Sequence, residues 1–234
     1  MTLDSVVAVI LARGGSKGIP KKNLRLFGDI PLVEWCLNAA LKSQKIDKVI
    51  LSSDSEEILD CGRKLECEIH KRSAEHSQDT TTSEESMLAV INEHPIAKSA
   101  EVLILVQPTS PFTKPDDFDK ALELFENGSF ESLVTGVSDH SFSWEVDEEG
   151  NAIPKYDPKL RQRRQDMKSS RKENGAFYIT KRKIWDEEQC RLGGKIGFYV
   201  MEPYQSIEID TELDWALLEE LIMKLGISPH KFNE

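Results

Sequence analysis

The chain has 234 residues, with 30 Lys and Arg against 41 Asp and Glu, for a formal charge of −11. That balance argues against a nucleic-acid or anionic-membrane surface, both of which need a basic face, so an anionic ligand must be held by a local cluster. The length allows one large domain, or one domain with a small appendage, whose core needs no disulfide or metal staple.

The elements are read in chain order. Residues 6–12, VVAVILA, form a continuous apolar, β-branched run, the pattern of a central strand covered on both faces. A helix over 31–43 follows, with Pro31 in its first turn and Leu32, Trp35, Cys36, Ala39 and Ala40 at helical spacing. A strand at 48–54 and a helix at 55–65 come next, then a short strand at 67–72. Thr81, Thr82 and Ser83 ahead of Glu84 and Glu85 mark another helix start, running through Met87, Val90 and Ile91. The run 102–108 is a third buried strand, 114–126 an amphipathic helix, and 132–137 a further strand.

The rhythm breaks over 138–174, where 144–156 resembles a hairpin and 161–172 is strongly basic. This stretch is expected to project from a core made of 1–137 and 175–234. Strands are expected again at 175–182, 195–202 and 205–210. The last predicted element is a helix over 211–225, with Leu213, Ala216, Leu217 and Leu221 near its repeat. Strands alternating with helices imply an α/β fold, a mainly parallel sheet with helices on both faces. Ligands of such sheets bind beyond the carboxyl ends of the strands. The loops after Ala12, Asp54 and Gln107 should therefore share one rim.

No apolar run approaches the roughly 18 residues that span a bilayer. The start lacks the basic-then-apolar order of a signal peptide. Cys36, Cys61, Cys67 and Cys190 form no Cys-x-x-Cys pair and are expected as buried thiols in a reducing compartment.

Four cations and three glycines crowd the segment 11–23, LARGGSKGIPKKN. A strand feeding a glycine-rich turn offers backbone N–H groups that can surround phosphate oxygens. Gly14 and Gly15 permit close approach, and Arg13, Lys17, Lys21 and Lys22 supply charge. The loop is neither a Walker A nor a G-x-G-x-x-G loop. The competing reading is an ordinary surface turn with solvated cations. Gln107 ends the most apolar strand, where an amide can read a base edge or merely lie beside a capping turn. Glu208 and Asp210, two apart on the expected strand 205–210, would face one way and suit a hard cation such as Mg²⁺; alternatively Asp210 caps the following helix. The basic groups 161–166 and 171–178 are either a solvated face or a carboxylate-binding arginine cluster. No nucleophile constellation is visible among the five histidines, so the chemistry suggested is direct transfer by positioning and charge stabilisation.

Taken together, ILARGGSKGIPKKN, SSD, KRSAEHSQDTTTS, QPTSP, RRQD, ENGAFYI and SIEIDTELDW resemble, in order, the motifs of the acylneuraminate cytidylyltransferase family, closest to its animal-type members. The resemblance implies a Rossmann-like nucleotidyltransferase fold. It also implies coupling of CTP to N-acetylneuraminate, a nine-carbon keto acid, giving CMP-sialate and pyrophosphate. Arg13, Lys17 and Lys22, with Gly14, Gly15 and Asn23, would hold the triphosphate. Arg72, Ser83 and Gln107 would contact the cytidine or its adjoining phosphate. Arg164 and Tyr178 would lie at the sugar-acid site, and Asp210 would bind Mg²⁺ or another divalent metal. Where the family shows Asp-x-Asp this chain has Glu208-Ile209-Asp210, which lengthens one metal-motif side chain by a methylene and bears on metal preference. Arg13, Lys22, Arg164 and Asp210 would carry the reaction. The resemblance further implies that 138–174 is a dimerisation arm, giving a homodimer or a tetramer, in the nucleus or cytoplasm, with the Golgi as the alternative. Other acceptors (KDN, legionaminate or Kdo) and a non-catalytic nucleotide-binding module are the rival readings.

Overall fold

Aliphatic and β-branched residues fill Val6–Leu11 and Val102–Val106, and the two runs lie side by side, almost wholly buried, at the centre of the molecule. The computed structural model describes residues 5–161, 163–166 and 170–228, the Arg164 side chain excepted. Its strands are β1 (Val6–Leu11), β2 (Leu26–Phe27), β3 (Ile30–Pro31), β4 (Lys48–Ser53), β5 (Glu68–Lys71), β6 (Val102–Val106), β7 (Ser132–Asp139), β8 (Trp144–Val146), β9 (Ala152–Pro154), β10 (Ser170–Lys181) and β11 (Ile196–Val200). Its helices are α1 (Leu32–Lys42), α2 (Glu56–Lys64), α3 (Ser83–Glu93), α4 (Pro95–Ser99), α5 (Pro115–Asn127), α6 (Arg182–Glu188) and α7 (Glu212–Leu225).

Seven strands make one sheet in the order β11-β7-β10-β6-β1-β4-β5. Only β10 runs against its neighbours, pairing antiparallel with β6 and β7; the other pairings in this sheet are parallel. The mainly parallel α/β arrangement expected from the sequence is the one observed. Alternation along β1 sends Ala8 and Ile10 to one face and Val7 and Val9 to the other. The first face is covered by α1, α2 and α5 through Val33, Leu37, Ile58, Phe118 and Phe125. The second is covered by α3, α4 and α6 through Met87, Val90, Ala97 and Trp185. A third cluster of Ile19, Phe27, Trp35, Phe112, Ile209 and Trp215 ties the loop after β1 to α7.

Three sequence expectations are corrected. Residues 205–210 are not a strand: Pro203–Ser206 is a 3₁₀ turn, and 207–210 runs extended outside the sheet. The cause is the buried Gln205 amide, which donates to Phe112 O at 2.8 Å and to Asp117 Oδ2 at 2.7 Å and pins the chain as a turn. In α7 the inward residues are Trp215 and Leu218, whereas Leu213 and Leu217 are exposed, because the helix docks on the third cluster by its other face. The cap of α7 is Thr211, in a reciprocal box with Asp214, and not Asp210.

The strand expected at 175–182 begins at Ser170, and its ladder with β7 extends from Ser132 to Asp139 with an irregularity between Glu173 and Tyr178. The described residues between β7 and β10 thus leave from two strands of the main sheet and include the β8–β9 hairpin. All four cysteines are free; Cys36 and Cys61 are buried, and Cys67 and Cys190 are partly so. Burial pushes the Cys36 and Cys67 thiols up to about 12, which keeps them inert. Among the described residues no helix is long and apolar enough to cross a membrane.

Candidate active site

The loops after β1, β4 and β6 meet at one rim, as the parallel sheet demands. Gly14 N–H donates to Asp54 Oδ1 at 2.8 Å, joining the first two loops. Asn23 closes the first loop from within, its Nδ2 donating to Arg13 O at 2.9 Å. Ile209 N–H donates to Thr109 O at 2.8 Å, which brings the extended segment 207–210 against the loop after β6. At Gly18 a Cβ would stand 2.3 Å from Asp210 O, so only glycine lets the glycine-rich loop approach that segment.

A cleft of about 300 Å³ opens between these loops, and Arg13, Lys22, Asn23, Arg72, Ser83 and Gln107 all line it. These six expected residues, scattered over 95 positions of sequence, are brought together. Ser83 is the first residue of α3, so the positive end of that helix faces the same space. Arg72 is only 5% exposed, and its Nε donates to Ser77 Oγ at 3.1 Å. Burial holds its guanidinium pKa below the ordinary value, with Asp54 opposing that shift.

The loop cations are already partnered. Asp79 bridges two of them, Oδ1 lying 2.8 Å from Arg13 and Oδ2 3.1 Å from Lys17. Lys17 first, then Arg13, hold the Asp79 carboxyl below the usual carboxylate range. Lys22, with a side chain only 14% exposed, donates to Ile209 O at 2.7 Å and to Asp210 Oδ1 at 3.2 Å. Gly15 lies on the same loop, with nothing within 4 Å of where a Cβ would stand.

Glu208 and Asp210 stand beside the cleft. Burial raises the Glu208 carboxyl, and the nearby Asp210 and Glu173 raise it further. A cation between the two carboxylates would relieve that repulsion, and Mg²⁺ needs only one or two protein carboxylates beside substrate phosphates. Among the described residues no group of three or more His, Cys, Asp or Glu could hold a metal, so these two carboxylates alone make no complete metal shell. Gly175, with φ +64°, is what admits this packing: a Cβ there would lie 2.9 Å from Glu208 Oε1 and 3.0 Å from Gln107 Oε1.

Tyr178 does not line the cleft. It is buried on β10 in register with the cleft-lining Leu105, and its hydroxyl donates to Glu173. Burial first, then Glu173, push its phenol well above the ordinary value. The Arg164 side chain lies outside the described residues. Sequence reasoning quoted Asp54, Asp79 and Asn174 within motifs and Glu84 at a helix start without giving them a role, and it did not name Arg191. Asp54 directly follows β4 and was open to a strand-end argument. Buried Asn174 donates to Gln205 O at 2.9 Å and accepts from Thr135 Oγ1 at 2.9 Å, contacts no local pattern announces.

A family model described as cytidylyltransferase matches residues 7–226. N-acylneuraminate cytidylyltransferase A of Danio rerio is 35% identical over 225 residues, 94% of this chain and 51% of that protein. The chain spans about half the length of such curated relatives. CMP-N,N'-diacetyllegionaminic acid synthase of Legionella pneumophila is 30% identical over 227 residues, 93% of this chain and 96% of that one. In fold, the chain is similar to a CMP:2-keto-3-deoxy-manno-octonic acid synthetase solved with CTP, at a TM-score of 0.69 and 16% identity, covering 95% of this chain and 100% of that one.

Proposed function

The chain belongs to the cytidylyltransferase family, and from that premise we propose that it transfers the cytidylyl group of CTP to the C2 hydroxyl of N-acetylneuraminate. The products are CMP-sialate and pyrophosphate. The observation that carries this reading is the convergence of Arg13, Lys22, Arg72 and the positive end of α3 on one cleft, in a chain whose net charge is −11. The similarity to N-acylneuraminate cytidylyltransferases supports the choice of acceptor.

In this reading Arg13 and Lys17, seated on the glycine loop, take the β- and γ-phosphates in exchange for Asp79. Lys22 shifts from Asp210 onto the triphosphate. Arg72, buried and short of a full counter-charge, gains one from a phosphate. Gln107 and Ser83 address the cytidine. The acceptor oxygen attacks the α-phosphorus in line, the bond to the bridging oxygen of the β-phosphate breaks, and the hydroxyl proton is released. Asp210 and Glu208 would hold Mg²⁺ or another divalent ion, whose chemistry is to neutralise charge on the α-phosphate and the leaving pyrophosphate. Tyr178 and Arg164 are assigned to the sugar acid.

We also read 138–174 as an arm that joins two copies, as a dimer or a pair of dimers. Its hairpin exposes Trp144, Val146 and Ile153, a support for contact with another surface. The four free thiols support a reducing compartment, nucleus or cytoplasm. A legionaminate-type acceptor is the second reading, favoured by the 96% coverage of the bacterial relative.

The test is pyrophosphate release from CTP with N-acetylneuraminate, KDN, legionaminate and Kdo, across divalent metals. N-acetylneuraminate should give the highest kcat/KM, and Lys22→Ala should lower it about hundredfold or more with the fold intact. CTP binding with no pyrophosphate from any acid would make the chain a nucleotide-binding module instead.

A further inference from the structure

Arg13 and Lys22 line the cleft with a carboxylate already on each of them, but among the described residues Arg72 has no ion pair. It is buried one step beyond β5, where its N–H donates to Ser53 O at 2.9 Å and fixes the main chain. Among the described residues its one side-chain hydrogen bond runs from Nε to Ser77 Oγ at 3.1 Å. Ser77 lines the same cleft. The chain reaches it by turning back at once: Glu75–Ser77 is a 3₁₀ turn, held by His76 N–H donating to Ser73 Oγ at 3.3 Å. Ser77 Oγ itself donates to Ser73 O at 2.8 Å. Its proton is thus engaged by the main chain, and a lone pair is what it offers Arg72.

A hydroxyl differs in kind from a carboxylate as the partner of a buried guanidinium. A carboxylate there would neutralise the charge and occupy two N–H groups at once. Ser77 accepts from one N–H and leaves the charge unopposed at contact range. An uncompensated buried cation costs stability, so the arrangement suits a group that awaits an anion. The same short segment shows the contrast: two residues on, Asp79 sets a carboxylate on Arg13 and Lys17. Segment 73–79 therefore competes for two cations at one end and orients a third, without competing for it, at the other. A guanidinium fixed through Nε presents Nη1 and Nη2 as a planar fork, which matches two oxygens of one phosphate.

We propose that Ser77 is a positioning residue of the nucleotide site: it holds Arg72 by Nε so that the two outer nitrogens grip a phosphate of the incoming nucleotide. The proposal rests on the reading of the cleft as a CTP site. It assigns Ser77 no contact with the reacting atoms; the hydroxyl acts through Arg72 alone.

The experiment is calorimetry of CTP binding, with cytidine measured by competition, on the intact chain, Ser77→Ala, Ser77→Thr, Ser73→Ala, Arg72→Lys and the double variant Arg72→Lys/Ser77→Ala. Ser77→Ala should weaken CTP about tenfold, the scale of one hydrogen bond to a charged group, and leave cytidine within about twofold. Ser77→Thr keeps the hydroxyl and should bring CTP back to within about threefold of the intact chain. Ser73→Ala loosens the turn but spares the Ser77 hydroxyl, and should change CTP affinity by less than about twofold. Arg72→Lys has no N–H at the position of Nε, so adding Ser77→Ala to it should cost less than about twofold more. An equal loss from Ser77→Ala in both backgrounds, an equal loss for cytidine, or an equal loss in Ser73→Ala overturns the proposal. An intact chain that binds no CTP overturns the nucleotide reading of the cleft first; binding that Ser77→Ala leaves unchanged overturns this inference alone.

Discussion

At the scale of single residues, the most informative side chain is Asp79. One carboxylate oxygen on Arg13 and the other on Lys17 reproduce what two oxygens of a phosphate would do in the same place. The carboxylate is about half exposed, so solvent screens the pair and it binds weakly enough to be displaced. In the proposed reading, a nucleotide entering the cleft competes with the chain's own acid. Asp79→Asn removes the competitor and leaves both cations in place. Binding of inorganic pyrophosphate, followed by calorimetry at fixed ionic strength, should tighten about three- to tenfold, the range of a modest charge-assisted contact. Unchanged or weaker binding would mean that Asp79 orients the cations for the ligand instead of standing in for it.

At the scale of elements, the junction of α3 and α4 sets a pH response. His94 ends α3 and opens α4, and its ring Nδ1 is buried with no hydrogen-bond partner. Burial lowers its pKa below the ordinary 6.5; neighbouring His70 lowers it further and Glu68 opposes. The unfolded chain therefore takes up the proton before the folded one does. The stability contributed by neutral His94 is complete above 6.5 and is lost as pH falls from 6.5 towards the depressed folded value. Denaturant midpoints of the intact chain should drop across that window, and His94→Gln should flatten the drop; an equal slope in both would place the acid sensitivity elsewhere.

The same scale shows what the sequence could announce. β1, β4, β6, α1 and α5 were legible because their own residues carry the period and each buries a face. The 205–210 strand failed because one buried glutamine, bonded 93 and 88 residues away, outweighed a strand-like alternation. The site divides likewise. The glycine-loop cations declare themselves locally. Asp79 reaches Arg13 across 66 positions and Arg191 reaches Glu84 across 107, and neither pairing leaves a mark on its neighbours in sequence.

For the whole molecule, the proposed reading asks the segment between β7 and β10 to complete the acceptor end. The arm leaves the core as a continuation of β7 and β10, paired as far as Ser170 with Asp139. Beyond it the β8–β9 hairpin holds itself together: Lys155 N–H donates to Ser143 O at 2.9 Å, and the tilted rings of Phe142 and Tyr156 pack with centres 4.6 Å apart. Trp144, Val146 and Ile153 still face outwards, although burying such side chains is worth about 1.5–3 kcal/mol each. A second copy of the chain is the occupant we assign to that surface. Because Ser143 and Lys155 already adjoin, residues 144–154 can be replaced by a glycine pair without straining the core. Sedimentation equilibrium should give the intact chain at least twice its 26.5 kDa and the shortened one a single copy. CTP affinity should hold within about twofold in the shortened chain, since no residue of 144–154 lines the cleft, while pyrophosphate release collapses. A shortened chain that remains a dimer would move the interface off the hairpin, and one that is monomeric yet fully active would show that a single copy completes the acceptor site alone.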